Sequence, residues 1–248
     1  MPTQACQLPF AKLFLNGTSL AECYAQALGF RLAISSYNNM FGELQLIKTK
    51  QPKIMEMPID EALKIIKDHS SPEAALTDLI SLCAETLPKE NWSALPKVDL
   101  ARDIDEAVQW LTEQMREADQ PSGICLGLDT LNMEDGDGQN IEFASSKKCD
   151  PTSDSQDWLE EDMDYGDGHL IHGLHLFHSE YTNGTWSDEG YSLCDYILFL
   201  GYSGIVLMHA FEKISVTNPI LVAWGFHDGD VLRLAYKDRV HYTRICDI

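Results

Sequence analysis

The sequence predicts an α+β fold, in which a helical N-terminal half is followed by a mainly antiparallel β-sheet in the C-terminal half. Two changes along the chain indicate this class. Up to residue 120, apolar residues recur at helical spacing behind capping residues, as in Ser70-Ser71 before Pro72. From Ile124 onward, short apolar runs alternate with turn residues such as Asn183-Gly184. With 248 residues, of which 44% are hydrophobic, the chain is long enough to bury a core.

The first half of the chain predicts four helices and one hairpin. Each helix begins at a residue that can cap it or at a proline that suits a first turn. The first helix is opened by Ser19-Leu20-Ala21-Glu22 and closed by Gly29. A hairpin of Arg31–Ile34 with Leu44–Lys48 follows it. Two further helices begin at Pro58 and Pro72, and the fourth is opened by Asp103-Ile104-Asp105-Glu106. Gln120-Pro121-Ser122-Gly123 ends the last of them.

The second half predicts short strands around one acidic loop, Ser145–Gly168, which is polar and interrupted by Gly and Pro. The predicted strands are Ile124–Leu128, Ile141–Ala144, His169–Glu180, Tyr196–Leu200, Ile205–Phe211, Ile220–Phe226, Val231–Tyr236 and Tyr242–Cys246. Glu134–Gly138 and His227–Asp230 have the composition of turns. The chain therefore divides into a mainly helical region 1–120, an acidic loop-rich segment 121–168 and a sheet region 169–248, whether these form one domain or several.

Negative charge is concentrated in the middle of the chain. The net charge is −21, and the stretch from Asp119 to Glu189 holds 17 Asp and Glu against only Lys147 and Lys148. Phosphate backbones and anionic membranes attract Lys and Arg, so this balance weighs against nucleic acid and membrane as partners. It favours a basic protein partner, and the alternative is a role in solubility alone.

The chain is predicted to be cytoplasmic. Met1–Cys6 contains no basic leader followed by an apolar run. The longest uncharged apolar run, Tyr196–Met208, is too short to span a bilayer. Seven cysteines without a Cys-x-x-Cys pair are typical of reduced thiols.

Half of the eight histidines recur at every third position, as His169, His172, His175 and His178, and this is the clearest metal-like pattern. A metal takes neutral imidazoles from neighbouring positions, and a helix would bring these side chains roughly into line. The predicted strand instead divides them between two faces, with same-face pairs about 20 Å apart. We therefore expect no metal or cofactor, and the histidine row remains an alternative.

No motif identifies a catalytic residue. Gly201-Tyr202-Ser203-Gly204 lacks the fifth-position glycine of a nucleophile elbow. The calcium-like runs that begin at Asp135 and Asp162 lack the glycine and glutamate that an EF-hand needs at its sixth and twelfth positions. The sequence also contains no glycine-rich phosphate loop.

The interpretation that fits the charge best is a binding protein whose acidic face inhibits a basic partner. Acidic residues steer such a partner into fast association, and aromatic residues between them can anchor the complex. The predicted partner-binding residues are Asp157, Trp158, Glu160, Glu161, Asp162, Asp164, Tyr165, Asp167, Tyr181 and Trp186.

Two parts of the sequence resemble bacterial immunity proteins of polymorphic and contact-dependent toxin systems. They are the acidic run Glu160-Glu161-Asp162-Met163-Asp164 and the strand–turn–strand pattern that contains Trp224-Gly225 and Asp228-Gly229-Asp230. The resemblance covers the last third of the chain and implies a protein that neutralises a toxin domain by occluding its active site. The alternatives are a metal-dependent hydrolase that uses the row His169–His178 with Asp164 or Asp167, and a DNA mimic whose carboxylates imitate phosphates.

Overall fold

The α+β class is confirmed by the computed structural model, which describes residues 58–129, 140–153, 155–160, 163–226 and 231–247. The helices of this part are α1 (Ile59–Asp68), α2 (Pro72–Thr86), α3 (Leu100–Glu117), α4 (His172–Thr182), α5 (Asp188–Leu193) and α6 (Leu200–Lys213). The strands are β1 (Gly123–Leu128), β2 (Ile141–Ser146), β3 (Asp164–Tyr165), β4 (Ile220–Phe226), β5 (Val231–Lys237) and β6 (Tyr242–Asp247). A π-helical turn, Cys194–Phe199, joins α5 to α6, and short 3₁₀ turns occur at Trp92–Ala94 and Asp157–Glu160.

The described strands form one mixed sheet in the order β3-β2-β1-β4-β5-β6. Neighbouring strands run antiparallel except β1 and β4, which are parallel, with Gly127 opposite Gly225. A parallel pair requires a long crossover connection, and α4, α5 and α6 lie within it. Strand β3 forms one edge of this sheet and pairs with β2 through Asp164 and Tyr165.

Helix α6 lies at the centre of the core. It packs on β4 and β5 and also on α1, α2 and α3, and it is buried along nearly its whole length. Close approach to the sheet requires a glycine, because a Cβ at Gly204 would lie 2.8 Å from the Trp224 ring. The Trp224 indole donates a hydrogen bond to Ser203 Oγ at 3.1 Å, so its buried N–H is satisfied.

The opposite face of the sheet is partly covered by residues of the segment 147–163. Trp158 and Cys149 pack on Leu221 and Ala223 of β4. The segment lies so close to β1 that a Cβ at Gly123 would be 2.6 Å from Cys149 Cβ. These contacts are at the amino ends of the parallel strands β1 and β4, so the segment is fixed to one half of this face.

Three of the predicted strands are wrong, because His169–Glu180, Tyr196–Leu200 and Ile205–Phe211 fall mainly in helical structure. In α4 the buried residues Leu174 and Phe177, with Ile171 just before the helix, recur at three-residue spacing, which is one helical face. Helix α6 is buried on every side, so its sequence shows no period that distinguishes it from a buried strand.

Several boundaries are confirmed. Ser71 caps α2, its hydroxyl accepting a hydrogen bond from Ala74 N–H at 3.3 Å, and Pro72 occupies the first turn. The strands predicted around β1, β2, β4, β5 and β6 are all present. The predicted cap at Asp103 is wrong, because Asp99 caps α3 by accepting from Arg102 N–H at 3.1 Å.

Some predicted elements lie outside the described residues. These are the helix opened by Ser19, the hairpin of Arg31–Ile34 with Leu44–Lys48, and the turns Glu134–Gly138 and His227–Asp230. The division into regions 1–120, 121–168 and 169–248 stays a prediction. None of the described helices is long and apolar enough to cross a membrane.

Candidate partner-binding surface

A groove of about 170 Å³ lies on the sheet face that carries the 147–163 segment. Its floor is formed by small residues, namely Cys125, Gly127, Ala144 and Gly225. The other lining residues are Glu142, Leu159, Met163, Tyr165, Val231 and Phe226. We call this cleft the sheet groove.

Strand register explains why the floor of the sheet groove is low. Glu142, Gly127, Gly225 and Val231 are direct cross-strand neighbours on β2, β1, β4 and β5. Directly opposed residues project to the same face of a sheet, so two glycines lie between two larger side chains. The two flanking strands are about 14 Å apart at the usual strand spacing. Gly127, Glu142 and Gly225 were not predicted as site residues, because the register of a parallel strand pair cannot be read from the local sequence.

Three of the predicted partner-binding acids are exposed and lie within two residues in the chain of a residue that lines the sheet groove. Asp164 is in edge strand β3, next to the groove residue Tyr165, Asp167 follows β3, and Asp157 lies two residues before the groove residue Leu159. We call these three carboxylates the acidic edge. Tyr165, between Asp164 and Asp167, is 76% exposed and lines the sheet groove. Of the predicted partner-binding residues, Tyr165 therefore lines the sheet groove, and the three acids are its neighbours or those of Leu159 in the chain.

The two predicted tryptophans are buried. Trp158 is 5% exposed and packs under the 147–163 segment, and Trp186 is equally buried and lies 5.7 Å from Trp92 between ring centroids. Both side chains contribute to packing within their own chain. The side chains of Glu160 and Tyr181, and the residues Glu161 and Asp162, lie outside what the structure describes. The assignment of these residues to a partner surface stays a prediction.

The histidine row is divided among different environments. His172 Nε2 lies 2.8 Å from an Arg102 nitrogen and 3.3 Å from Glu106 Oε2 on the surface of α3. His178 is buried, and His175 is half-buried on the same helix. Among the described residues, no group of three or more His, Cys, Asp or Glu side chains is arranged to hold a metal ion. The hydrolase alternative therefore has no geometric support in this part of the chain.

His169 belongs to a contact that fixes the residues after β3. Its ring stacks on Trp110 of α3, with centroids 5.0 Å apart, and its backbone N–H donates to Ile141 O at 2.8 Å. The Trp110 indole donates to Asp167 O at 2.9 Å, and Gln114 Oε1 accepts from Asp167 N–H at 2.9 Å. Helix α3 thus holds the backbone of Asp167 in place while its carboxylate stays exposed.

Burial lowers the pKa of His169, although the charges of Glu106 and Asp103 oppose this and His172 reinforces it. Above about pH 6.5, a histidine whose pKa is lowered by folding is neutral in both the folded and the unfolded chain. Below that pH the unfolded chain takes up the proton first, so stability falls as the pH falls towards the folded pKa. Replacing His169 by Phe keeps a ring on Trp110 and removes the titration.

We therefore expect the free energy of unfolding of the wild type to fall relative to His169→Phe between pH 6.5 and pH 5. Urea unfolding at several pH values measures the difference between the two proteins. His209, whose pKa burial also lowers, contributes in the same direction and is present in both. Parallel pH profiles for the two proteins would show that His169 does not titrate differently on folding.

The described cysteines near the sheet are not activated nucleophiles. Burial raises the pKa of Cys125 to about 11, and burial together with Asp150 raises the pKa of Cys149 to about 11. Burial raises the pKa of Cys83 to about 12. Because the thiolate is the reactive form, these thiols are inert at neutral pH.

Comparison with known proteins gives no relative: no protein-family model, no curated protein and no solved structure matches this chain.

Proposed function

We propose that this chain is an acidic binding protein that inhibits a basic protein partner. Within that class, we propose a cytoplasmic immunity protein that neutralises a bacterial toxin domain by covering its active site. The observation that carries the proposal is that the carboxylates of the acidic edge, Asp157, Asp164 and Asp167, are exposed next in the chain to residues that line the sheet groove, among them the exposed Tyr165.

Charge supports the choice of partner. The chain has a net charge of −21, and the stretch that contains the acidic edge has 17 acids against two lysines. One of those lysines, Lys147, is paired with Asp119 at 3.1 Å. A field of this sign accelerates association with a cationic surface, such as the substrate groove of a nucleic-acid-directed enzyme, and repels nucleic acid.

The combination of charge and an apolar cleft supports binding with specificity. Exposed carboxylates alone form contacts at the rim of an interface. Each such contact contributes little binding free energy and is screened by salt. Interfaces obtain most of their affinity from a few side chains that fill pockets near the centre of the contact. The sheet groove supplies such a pocket, and the exposed carboxylates of the acidic edge lie within two residues in the chain of its lining residues Leu159 and Tyr165. Inhibition then follows from covering the partner's cationic site.

The test is affinity capture from the source cells with the wild-type chain and with Asp157→Asn/Asp164→Asn/Asp167→Asn. We expect the wild type to retain one basic protein in stoichiometric amount at low salt, to release it as salt rises, and to suppress its activity. The triple variant is expected to retain less of it. The control variant Glu61→Gln/Asp78→Asn/Glu85→Gln removes the same charge from exposed positions on α1, which contacts edge strand β6, and on α2, and should capture like the wild type.

Capture of no basic protein by the wild type would contradict the proposal. Equal loss of capture in both triple variants would show that net charge, rather than the acidic edge, is what the partner recognises.

A further inference from the structure

The sheet groove has a chemical composition that selects one kind of side chain. Its floor and one side are apolar, and Glu142 is its charged lining residue. Tyr165 presents an aromatic ring on the same sheet face, because it lies directly opposite Ala144 and Ala144 lies opposite Cys125. A ligand that fits must therefore offer an apolar stem, a positive charge and a group that can lie on a ring.

From these contacts we infer that the sheet groove binds an arginine side chain of the basic partner. The methylene stem lies over Gly127 and Gly225, the guanidinium pairs with Glu142, and its plane rests on Tyr165. This inference rests on the proposed function for the identity of the partner as a basic protein. The geometry of the groove supplies the choice of side chain.

Each of the three contacts matches a known property of arginine. Its stem covers apolar surface while its head stays charged. Its guanidinium is planar, forms paired hydrogen bonds with a carboxylate and stacks on aromatic rings. Lysine provides the stem and the charge but presents a compact, strongly hydrated ammonium group. It therefore fits the contacts with Glu142 and Tyr165 less well than arginine does.

The charges around the groove are compatible with this occupant. Glu142 already interacts with another group of its own chain. A carboxylate has about four lone-pair positions, so it can accept from a guanidinium as well. The neighbouring base on this face, Arg233, lies opposite Ala223 and is itself engaged within the chain. Asp157, two residues before the groove residue Leu159, is exposed and adds negative charge to this part of the surface, whereas Asp164 lies opposite Ser145 and projects to the other face.

The test uses small probes, so that it does not depend on the natural partner. The full chain, labelled with ¹⁵N, is titrated with Nα-acetyl-arginine methylamide, and the amide signals of Gly127 and Gly225 are followed. The same titration is made with the lysine analogue and with the citrulline analogue, which keeps the shape of arginine without its charge. We expect saturable shifts at both glycines with arginine, at least about threefold weaker binding of lysine, and no saturable shift with citrulline.

Two variants test the contacts. Glu142→Gln is expected to weaken binding of the arginine probe at least about tenfold, because it removes the charge that pairs with the guanidinium. Tyr165→Ala is expected to weaken binding of the same probe several-fold. The Tyr165 side chain is too exposed for this change to disturb folding. Glu85→Gln, a charge-matched control on α2, should bind the probe like the wild type.

Two results would overturn the inference: no saturable shift at Gly127 and Gly225 with the arginine probe, or equal shifts with arginine and citrulline. Either result would leave the proposed function standing if the acidic edge still governs capture of the partner. Failure to capture any basic partner would refute the proposed function whatever the probes show.

Discussion

Replacing Asp103 by Ala is expected to lower the free energy of unfolding by about 3 kcal/mol, the usual cost of breaking a buried charged network. Asp103 on α3 is 1% exposed and accepts hydrogen bonds from Gly173 N–H and from the Tyr202 hydroxyl, both at 2.8 Å. His172 N–H also points to it, at 3.3 Å. The carboxylate thus serves as the cap of α4 from a different helix, where a negative charge also complements the helix dipole.

The phenol of Tyr202 cannot compensate for the loss of Asp103. Burial and the nearby Asp103 raise the pKa of Tyr202 far above its usual range, so the hydroxyl stays protonated and needs an acceptor. In Asp103→Ala this donor and the two backbone N–H groups at the start of α4 are left buried without that acceptor.

Urea unfolding measures the effect, with Asp105→Ala as the matched control on the same helix. Asp105 is exposed and pairs with Lys213 at 2.9 Å, so its loss is expected to cost less than about 1 kcal/mol. Equal destabilisation by the two substitutions would contradict the role assigned to Asp103.

Replacing Trp158 by Ala is expected to cost about 3 kcal/mol or more, as for other buried Trp-to-Ala changes. Trp158 fills the space between the 147–163 segment and strand β4, and its ring would lie 2.8 Å from a Cβ at Gly123. Its removal leaves a cavity and loosens the segment that carries Leu159 and Met163 to the sheet groove.

The comparison with Tyr165→Ala separates folding from binding. Tyr165 is 76% exposed, so its removal is expected to change stability by no more than about 0.5 kcal/mol. Partner affinity should fall in both variants, in Trp158→Ala through loss of the groove wall and in Tyr165→Ala through loss of a direct contact. Thermal unfolding and affinity measured on the same preparations test this. A Trp158→Ala protein with wild-type stability and weakened binding would instead make Trp158 a direct anchor.

The sequence predicted the class of fold and most of its strands because those depend on local patterns. The cap at Ser71, the short apolar runs of β1 and β4 and the partly alternating strand β5 are visible in a few neighbouring residues. Helices α4 and α6 were missed for two different reasons. Helix α4 receives its cap from Asp103, far away in the chain, and α6 is apolar on all sides. Helix α4 therefore lacks a local capping signal, although Ile171, Leu174 and Phe177 keep helical spacing, and α6 lacks a periodic one.

The candidate site was only partly predictable, for the same physical reason. Concentrated charge identified the acidic edge, since charge is a property of composition. The apolar cleft beside it comes from the pairing of β2, β1, β4 and β5, which aligns Glu142 with Gly127 and Gly225. That alignment depends on a parallel pair whose strands are separated by the whole crossover. The burial of Trp158 and Trp186 could not be read from the local sequence either, because each side chain packs on residues that are distant in the sequence.

The most direct test of the central claim is the dissociation constant of the complex with the captured partner, measured from 50 to 300 mM NaCl. We expect the affinity of the wild type to fall steeply with salt, because the screening length drops below about 10 Å above 0.1 M. At 50 mM salt the Asp157→Asn/Asp164→Asn/Asp167→Asn variant should bind at least about tenfold more weakly, with a shallower dependence on salt. Equal affinities for the two proteins across this range would contradict the claim that the acidic edge recognises the partner.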